Sequence, residues 1–412
     1  MSSTTEDKKF NEDKKFNEDK KFKESKKFKE SRIIYILLFF VPIGYIVNFL
    51  SSNATLIFAT NFLAIIPSAK LLKFANNKLS HYVSHLPYIK RKNEVFNSLM
   101  KVLGGLLGIM LNNFVELVIT ITALVNGQIH IVQTAVLGSI LFHALLVLGL
   151  CFLVGGIKHN EIEFSSTAAQ LTSSVLTVAC ISLILPASFS LFVDQSPGKS
   201  DMILSISYGI SIVLLVICVL YLYFKKITHE KLFSKNKKKK ENINIIIMSL
   251  ILLIAMAIII VFSSLFLVNS INGVVESHKI SETFIGLILL PIVGHSAKYI
   301  AIFCVCTEDC EKKLKLKIRN SVRSSVYTAI FIIPFLVILG RIIKQPMTLS
   351  FLPFETVCLF IAEILKNYLV QVYGKANWLE GIMLISTYLI MALAFFFDFD
   401  TIKSSITFSN IH

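Results

Sequence analysis

Residues 245–270 read IIIMSLILLIAMAIIIVFSSLFLVNS, an apolar run without one charged side chain. Wound as an α-helix at about 1.5 Å per residue, it outspans the ~30 Å hydrocarbon layer of a bilayer. A helix that apolar on every face is satisfied by lipid, with all its backbone hydrogen bonds made internally. Working outward, similar runs recur near 33–50, 55–72, 103–125, 131–155, 168–193, 205–224, 283–304, 325–341, 350–370 and 379–397. Together they predict an all-α polytopic membrane protein of about 11 transmembrane helices.

Composition agrees. Hydrophobic residues make up 54% and charged residues 16% of the chain, against about 25% charged in a soluble domain. There are 33 Phe and a single Trp, Trp378, which suits lipid-facing helices. The net charge of +15 is uneven along the chain. No soluble domain interleaves basic and aromatic residues, so nucleic acid is excluded as a partner. Most of the seven cysteines sit in apolar runs, where they read as small hydrophobes. Cys304, Cys306 and Cys310 cluster, but no histidine stands at finger spacing from them.

Basic residues orient the spans. They follow the second span (Lys73, Lys78, Lys90, Arg91, Lys92), the sixth (Lys225, Lys226, Lys231, Lys235, then Lys237 to Lys240) and the eighth (Lys312 to Arg323). All three positions follow an even number of spans. Loops after odd spans, such as 126–130 and 194–201, are nearly free of them. The N-terminus is therefore expected on the cytoplasmic side. Residues 1–32 form a low-complexity tail with Phe10, Phe16, Phe22 and Phe28 at period six. Six residues advance about 600° round a helix, so successive rings do not share one face. The tail reads as disordered, without the apolar core of a signal peptide. A leading helix at 33–50 precedes a first five-helix repeat at 51–224. The basic cytoplasmic loop at 225–243 separates it from a second five-helix repeat at 244–397, and 398–412 is a C-terminal tail. An odd number of spans per repeat forces the two repeats into opposite orientations, the arrangement of an inverted-repeat transporter.

An ionised side chain costs roughly 2.5–3.5 kcal/mol at the centre of a membrane helix, so charges placed there mark candidate sites. Glu116 stands in Asn112-Asn113-Phe114-Val115-Glu116-Leu117-Val118-Ile119-Thr120. Lys298 stands in Gly294-His295-Ser296-Ala297-Lys298-Tyr299. Each lies in the second span of its repeat, so inverted symmetry sets them opposite each other. Glu363 is another acid in an apolar run, but Lys366 and Asn367 follow it closely and place it at an interface. Thr120 and Gln133 read as helix-packing groups. No Gly-x-Ser-x-Gly elbow or His-Glu-x-x-His pair is present, so an enzyme is not expected.

These residues carry a resemblance. The stretch 112–120 is similar to the first ion-binding motif of the calcium/proton exchanger family, in the cation/Ca2+ antiporter superfamily. Asn61-Phe62-Leu63-Ala64-Ile65-Ile66-Pro67, Val274-Val275-Glu276-Ser277, Thr283 to Ile288 and Asn377-Trp378-Leu379-Glu380-Gly381 look like the fungal vacuolar members. The resemblance covers about 33–397. It implies a secondary antiporter exchanging a cation, calcium in the family, for protons across the vacuolar membrane, with no cofactor. Its partners are the lipid bilayer, cations and protons, and a homo-oligomer stays open. It implies an ion-binding set of Glu116, Asn112, Asn113, Ser139, His143, His295, Lys298 and Tyr327, with Glu116 as the metal ligand.

The departures from the family are as informative. Its second motif supplies a carboxylate where this chain has Lys298; His295 stands for its Asn and Tyr299 for its His. Phe142, His143 and Tyr327 stand where the family has small polar residues, and Gly108 where it usually has an Asn. Its acidic stretch near mid-chain is replaced by the basic run around 237–240. Calcium takes six to eight oxygen ligands, and histidine nitrogens are poor substitutes. A like charge at about 4 Å costs about 4 kcal/mol per unit product at an effective dielectric of 20, and a divalent ion about twice that. Calcium binding is therefore expected to be weakened or lost. Lys298 either takes the cation's place beside Glu116, making a non-transporting regulatory paralogue, or loses its proton within a transport cycle.

Overall fold

The computed structural model describes residues 37–83, 94–159, 161–163, 166–192, 198–229, 243–306, 311–372 and 375–397. The tail 1–32, most of the basic loop 225–243, the C-terminal tail and the side chains of Cys304, Cys306 and Cys310 lie outside these. The described helices are α1 (Phe40–Leu50), α2 (Ala54–Val83), α3 (Glu94–Asn112), α4 (Phe114–Val125), α5 (Ile129–His159), α6 (Ser166–Phe192) and α7 (Lys199–Thr228). They continue as α8 (Ile243–His278), α9 (Glu282–Gly294), α10 (Ser296–Cys306), α11 (Lys313–Ile342), α12 (Pro353–Val372) and α13 (Trp378–Phe396).

Among the described residues, every apolar run of the sequence coincides with helix. The expected count of eleven crossings is not met by length and apolarity alone. Among the described residues seven helices pass that test, or eight when α3 and α4, bent by 76°, form one broken span. The others fall short for visible reasons. The described α1 has 11 residues. His295 interrupts α9 and α10. Glu355, Glu363 and Lys366 add charge to α12.

The contacts between helices come in mirrored sets. The first helix of each repeat packs on the other, α2 along α8, and the fourth likewise, α6 along α12. The third of each packs on the fifth of the other: α5 on α13, and α7 on α11. Contacts at helix ends sort by the number of preceding runs. Strand β1 (Ile162–Glu163), after the fourth run, pairs antiparallel with β2 (Lys375–Ala376), after the tenth. On the opposite face Thr55 Oγ1 lies 2.9 Å from His278 Nε2, and Asn126 Nδ2 donates to Asn269 Oδ1 at 2.6 Å.

The core lies along α5 and residues 321–340 of α11, where most side chains are buried. Ile247, Met248, Ile251, Ile254 and Ile258 of α8 are exposed instead, an apolar surface suited to lipid. Beside the core, α5 and α9 touch backbone to backbone. A Cβ on Gly138 would sit 2.1 Å from the Leu287 carbonyl oxygen. Gly286 likewise faces Thr134. Small residues permit this closeness between membrane helices, and it brings Ser139 and His295 together.

Candidate functional site

Two helices break, and the breaks meet. Asn113 leaves helical geometry at φ −116°, ψ 24°, and His295 does so at φ −112°, ψ 13°. Local chemistry explains the first: Asn112 and Asn113 turn their amides back onto the carbonyls of Gly108 and Ile109, competing with the helix's own bonding. Gly294, a weak helix former, immediately precedes the second. Beyond each break a new helix starts, with Glu116 in the first turn of α4 and Lys298 in that of α10.

Each motif residue reaches into the opposite repeat. Glu116 is buried, its Oε2 3.5 Å from His295 Nε2, and its Oε1 accepts from Thr328 Oγ1 at 3.4 Å. Lys298 Nζ donates to Asn113 Oδ1 at 2.7 Å and to His143 Nε2 at 2.9 Å, with Ser324 Oγ at 3.5 Å. The pattern is reciprocal. The residue at one break, Asn113 or His295, contacts the charged residue three positions beyond the other. His143 and Thr328 each stand at the start of a π-helical turn, at Phe142–Val147 and Thr328–Ile332. Such turns re-aim side chains and recur at functional sites.

The two histidines separate the charges. Their rings lie 4.2 Å apart at the centroids and 35° from parallel, with Phe142 beside His295. Direct pairing of Lys298 with Glu116 is not what forms: the amine's bonds go to Asn113 and His143, and the carboxylate's ionic neighbour within 4 Å is His295. An ammonium donating to His143 Nε2 requires that nitrogen to be bare, leaving the ring hydrogen on Nδ1. Ser139 Oγ, 3.1 Å from His295 Nε2, completes the cluster, and Ser321 Oγ donates to the His143 carbonyl. A small cavity opens on the Glu116 side, lined by Glu116, Thr120, Ala135, Ser139, Pro291 and Gly294.

The expected set is thus partly assembled. Glu116, Asn113, Ser139, His143, His295 and Lys298 meet. Asn112 does not, because its exposed amide bonds Gly108. Tyr327 does not either: its hydroxyl accepts from Lys225 Nζ at 2.6 Å, facing α7. The residue that reaches Glu116 is its neighbour Thr328, one position on. Ser324 and Thr328 were legible only by laying the second repeat's third helix over α5 and asking which polar groups fall near Ser139 and His143. Glu363 is buried against protein. Lys366 Nζ bonds both its oxygens at 2.8 and 2.9 Å, and Thr177 of α6 adds a third contact. Gln133 holds the turn carbonyls of Thr348 and Ser350, and Thr120 bonds back to the Glu116 carbonyl.

Beside Glu116 the side-chain oxygens come from Thr120, Ser139, Thr328 and the carboxylate itself, by themselves fewer than calcium's usual six to eight. Among the described residues no group of three or more His, Cys, Asp or Glu could hold a metal ion.

A family model described as "Sodium/calcium exchanger protein" matches residues 31–226 and 248–397. The vacuolar calcium ion transporter of Schizosaccharomyces pombe is 37% identical over 366 residues, 88% of this chain and 84% of that one. The Ca(2+)/H(+) antiporter of Aphanothece halophytica is 32% identical over 378 residues, 88% of this chain and 95% of its own. The solved structure of native YfkE matches with a TM-score of 0.72 at 30% identity, over 89% of this chain and 100% of the other.

Proposed function

The chain belongs to the sodium/calcium exchanger protein family, and from that premise we propose a secondary active cation/proton antiporter of the vacuolar membrane in which Lys298 weakens or abolishes calcium binding. The relatives named as a vacuolar calcium ion transporter and a Ca(2+)/H(+) antiporter support the exchange chemistry. The basic loops after even-numbered runs support a cytoplasmic N-terminus.

One observation carries the reading on calcium. Lys298 Nζ is held inside the cluster by Asn113 Oδ1 and His143 Nε2. Its charge repels a cation arriving beside Glu116, in surroundings where water cannot screen it. Glu116 keeps a carboxylate that can take up and release a proton, with His295 beside it. A monovalent cation meets half the repulsion a divalent ion does, and half the attraction of Glu116, so the amine costs calcium more than it costs a singly charged cargo.

The test is uptake into sealed vesicles under a pH gradient, with calcium, manganese, sodium and potassium supplied separately, for wild type and Lys298→Glu. Proton-coupled monovalent flux with little calcium uptake is expected from wild type, and calcium uptake from the variant. Strong calcium uptake by wild type overturns the reading. The same hydrogen bonds also favour a second reading, a non-transporting regulator, because the amine occupies space a bound cation would take. That reading expects no flux of any of the four ions, and altered flux through an active relative on deletion.

A further inference from the structure

A second set of titratable groups meets about 13.5 Å from Ser139, taken as nine residues back along α5. His130, in the first turn of α5, has Nδ1 3.8 Å from Glu282 Oε2 and Nε2 3.6 Å from Glu355 Oε1. Glu282 opens α9 and Glu355 lies in the first turn of α12, so one first-repeat imidazole stands between two second-repeat carboxylates. The gaps exceed hydrogen-bond length. His130 and Glu282 are partly open to solvent, at 32% and 40%. Glu355 is 1% exposed; its Oε2 accepts from the Leu352 amide at 3.2 Å, while Oε1 and His130 Nε2 have no hydrogen-bond partner among the described residues.

A buried carboxylate oxygen without a donor is costly, and the group aimed at it is an imidazole nitrogen. Glu282 and Glu355 are the charged groups that act on this ring; Cys358 follows one turn beyond Glu355 on α12. The two ring nitrogens point in opposite directions, each to its own carboxylate, so no single metal ion can use both. A neutral imidazole can donate to one acid only; the imidazolium donates to both.

The geometry points to a proton-binding site at His130, Glu282 and Glu355 that, when the imidazole is doubly protonated, clips α5 of the first repeat to α9 and α12 of the second. The ligand is a proton arriving from the face opposite the basic loops, through the partly open Glu282 and His130. The mechanical consequence follows from position. The clip joins the outer ends of α5 and α9; Ser139 lies farther along α5, His295 follows the inner end of α9, and the glycine contacts at Gly138 and Gly286 hold the pair close between. Losing the proton leaves the ring able to donate to only one of the two acids, so one of the two contacts is released, which loosens this mouth. The inference rests on the proposed orientation only for naming the acidic vacuolar lumen as the proton's source.

Hydrogen–deuterium exchange on the full chain in lipid nanodiscs, corrected for intrinsic rates, tests it at pH 7 and 11. The first turns of α5, α9 and α12 are expected to be at least about ten-fold more protected at the lower pH, the effect of a charge-assisted hydrogen bond. His130→Gln is expected to erase that difference, and Glu282→Gln, at an exposed position, to reduce it. Glu116→Gln is expected to leave it intact, and the readout involves no ion flux, so it is independent of what the antiporter carries. Equal protection of the wild type at both pH values, or a difference that survives in His130→Gln, overturns the site.

Discussion

The first broken span places Asn113 at its break and Glu116 in the following turn; the second places His295 and Lys298 at the same points. A new helix begins at each, and the positive end of its dipole favours the carboxylate and disfavours the ammonium. Glu116 therefore suits its position by backbone electrostatics alone. Lys298 needs acceptors from the other repeat, and Asn113 Oδ1 and His143 Nε2 supply them. Symmetric backbones thus carry opposite charges, and the surrounding side chains differ accordingly: Thr328 donates to Glu116, while a bare imidazole nitrogen accepts from Lys298. The lesson is that one substitution on an inverted repeat changes what both halves must provide.

The strongest way to break this contrast is Lys298→Glu, which makes the two spans alike. At about 4 kcal/mol per unit charge near 4 Å and 1.4 kcal/mol per decade, calcium affinity is expected to rise at least about a thousand-fold, read by radiolabelled calcium uptake or calorimetry. Glu116→Gln erases the contrast from the other side by removing the carboxylate. Proton-coupled flux is expected to fall to background, with Glu116→Asp intermediate, in a dye-based vesicle assay. Gly138→Ala leaves the charges alone and spoils how the spans meet. Its methyl collides with the Leu287 carbonyl, so a loss of about 1–3 kcal/mol is expected, seen as a lower melting temperature in detergent. Gly209→Ala, where a Cβ meets nothing within 4 Å, is the matched control. Asn112→Ala sharpens the comparison most finely. Because Asn112 faces away from the cluster, flux and stability are expected to stay within about 0.5 kcal/mol of wild type, unlike Asn113→Ala, which removes an acceptor of Lys298.

How far the site was legible differs residue by residue. Glu116 and Lys298 announced themselves as charges inside apolar runs, since the membrane penalises charge wherever it falls. Asn112 and Asn113 looked equivalent on paper. Only the 76° bend between α3 and α4 decides which amide turns inward. Tyr327 and Thr328 are adjacent, and a π-helical turn starting at Thr328 shifts the register by which they face the core. Glu363 seemed near an end of its helix, yet α6 covers it and Lys366 neutralises it within one turn.

The chain's one-dimensional pattern, its apolar runs, its basic loops and its two motif charges, was sufficient for a membrane-embedded helical protein of paired repeats. Those features depend on how each residue interacts with lipid or water, and that needs no knowledge of neighbours. Tertiary structure alone decided that two histidines stand between Glu116 and Lys298, that Thr328 replaces Tyr327 at the carboxylate, and that His130 lies between Glu282 and Glu355. Those partners are more than 140 residues apart in most cases, and only close helix packing through Gly138 and Gly286 settles which of them come within a few ångströms.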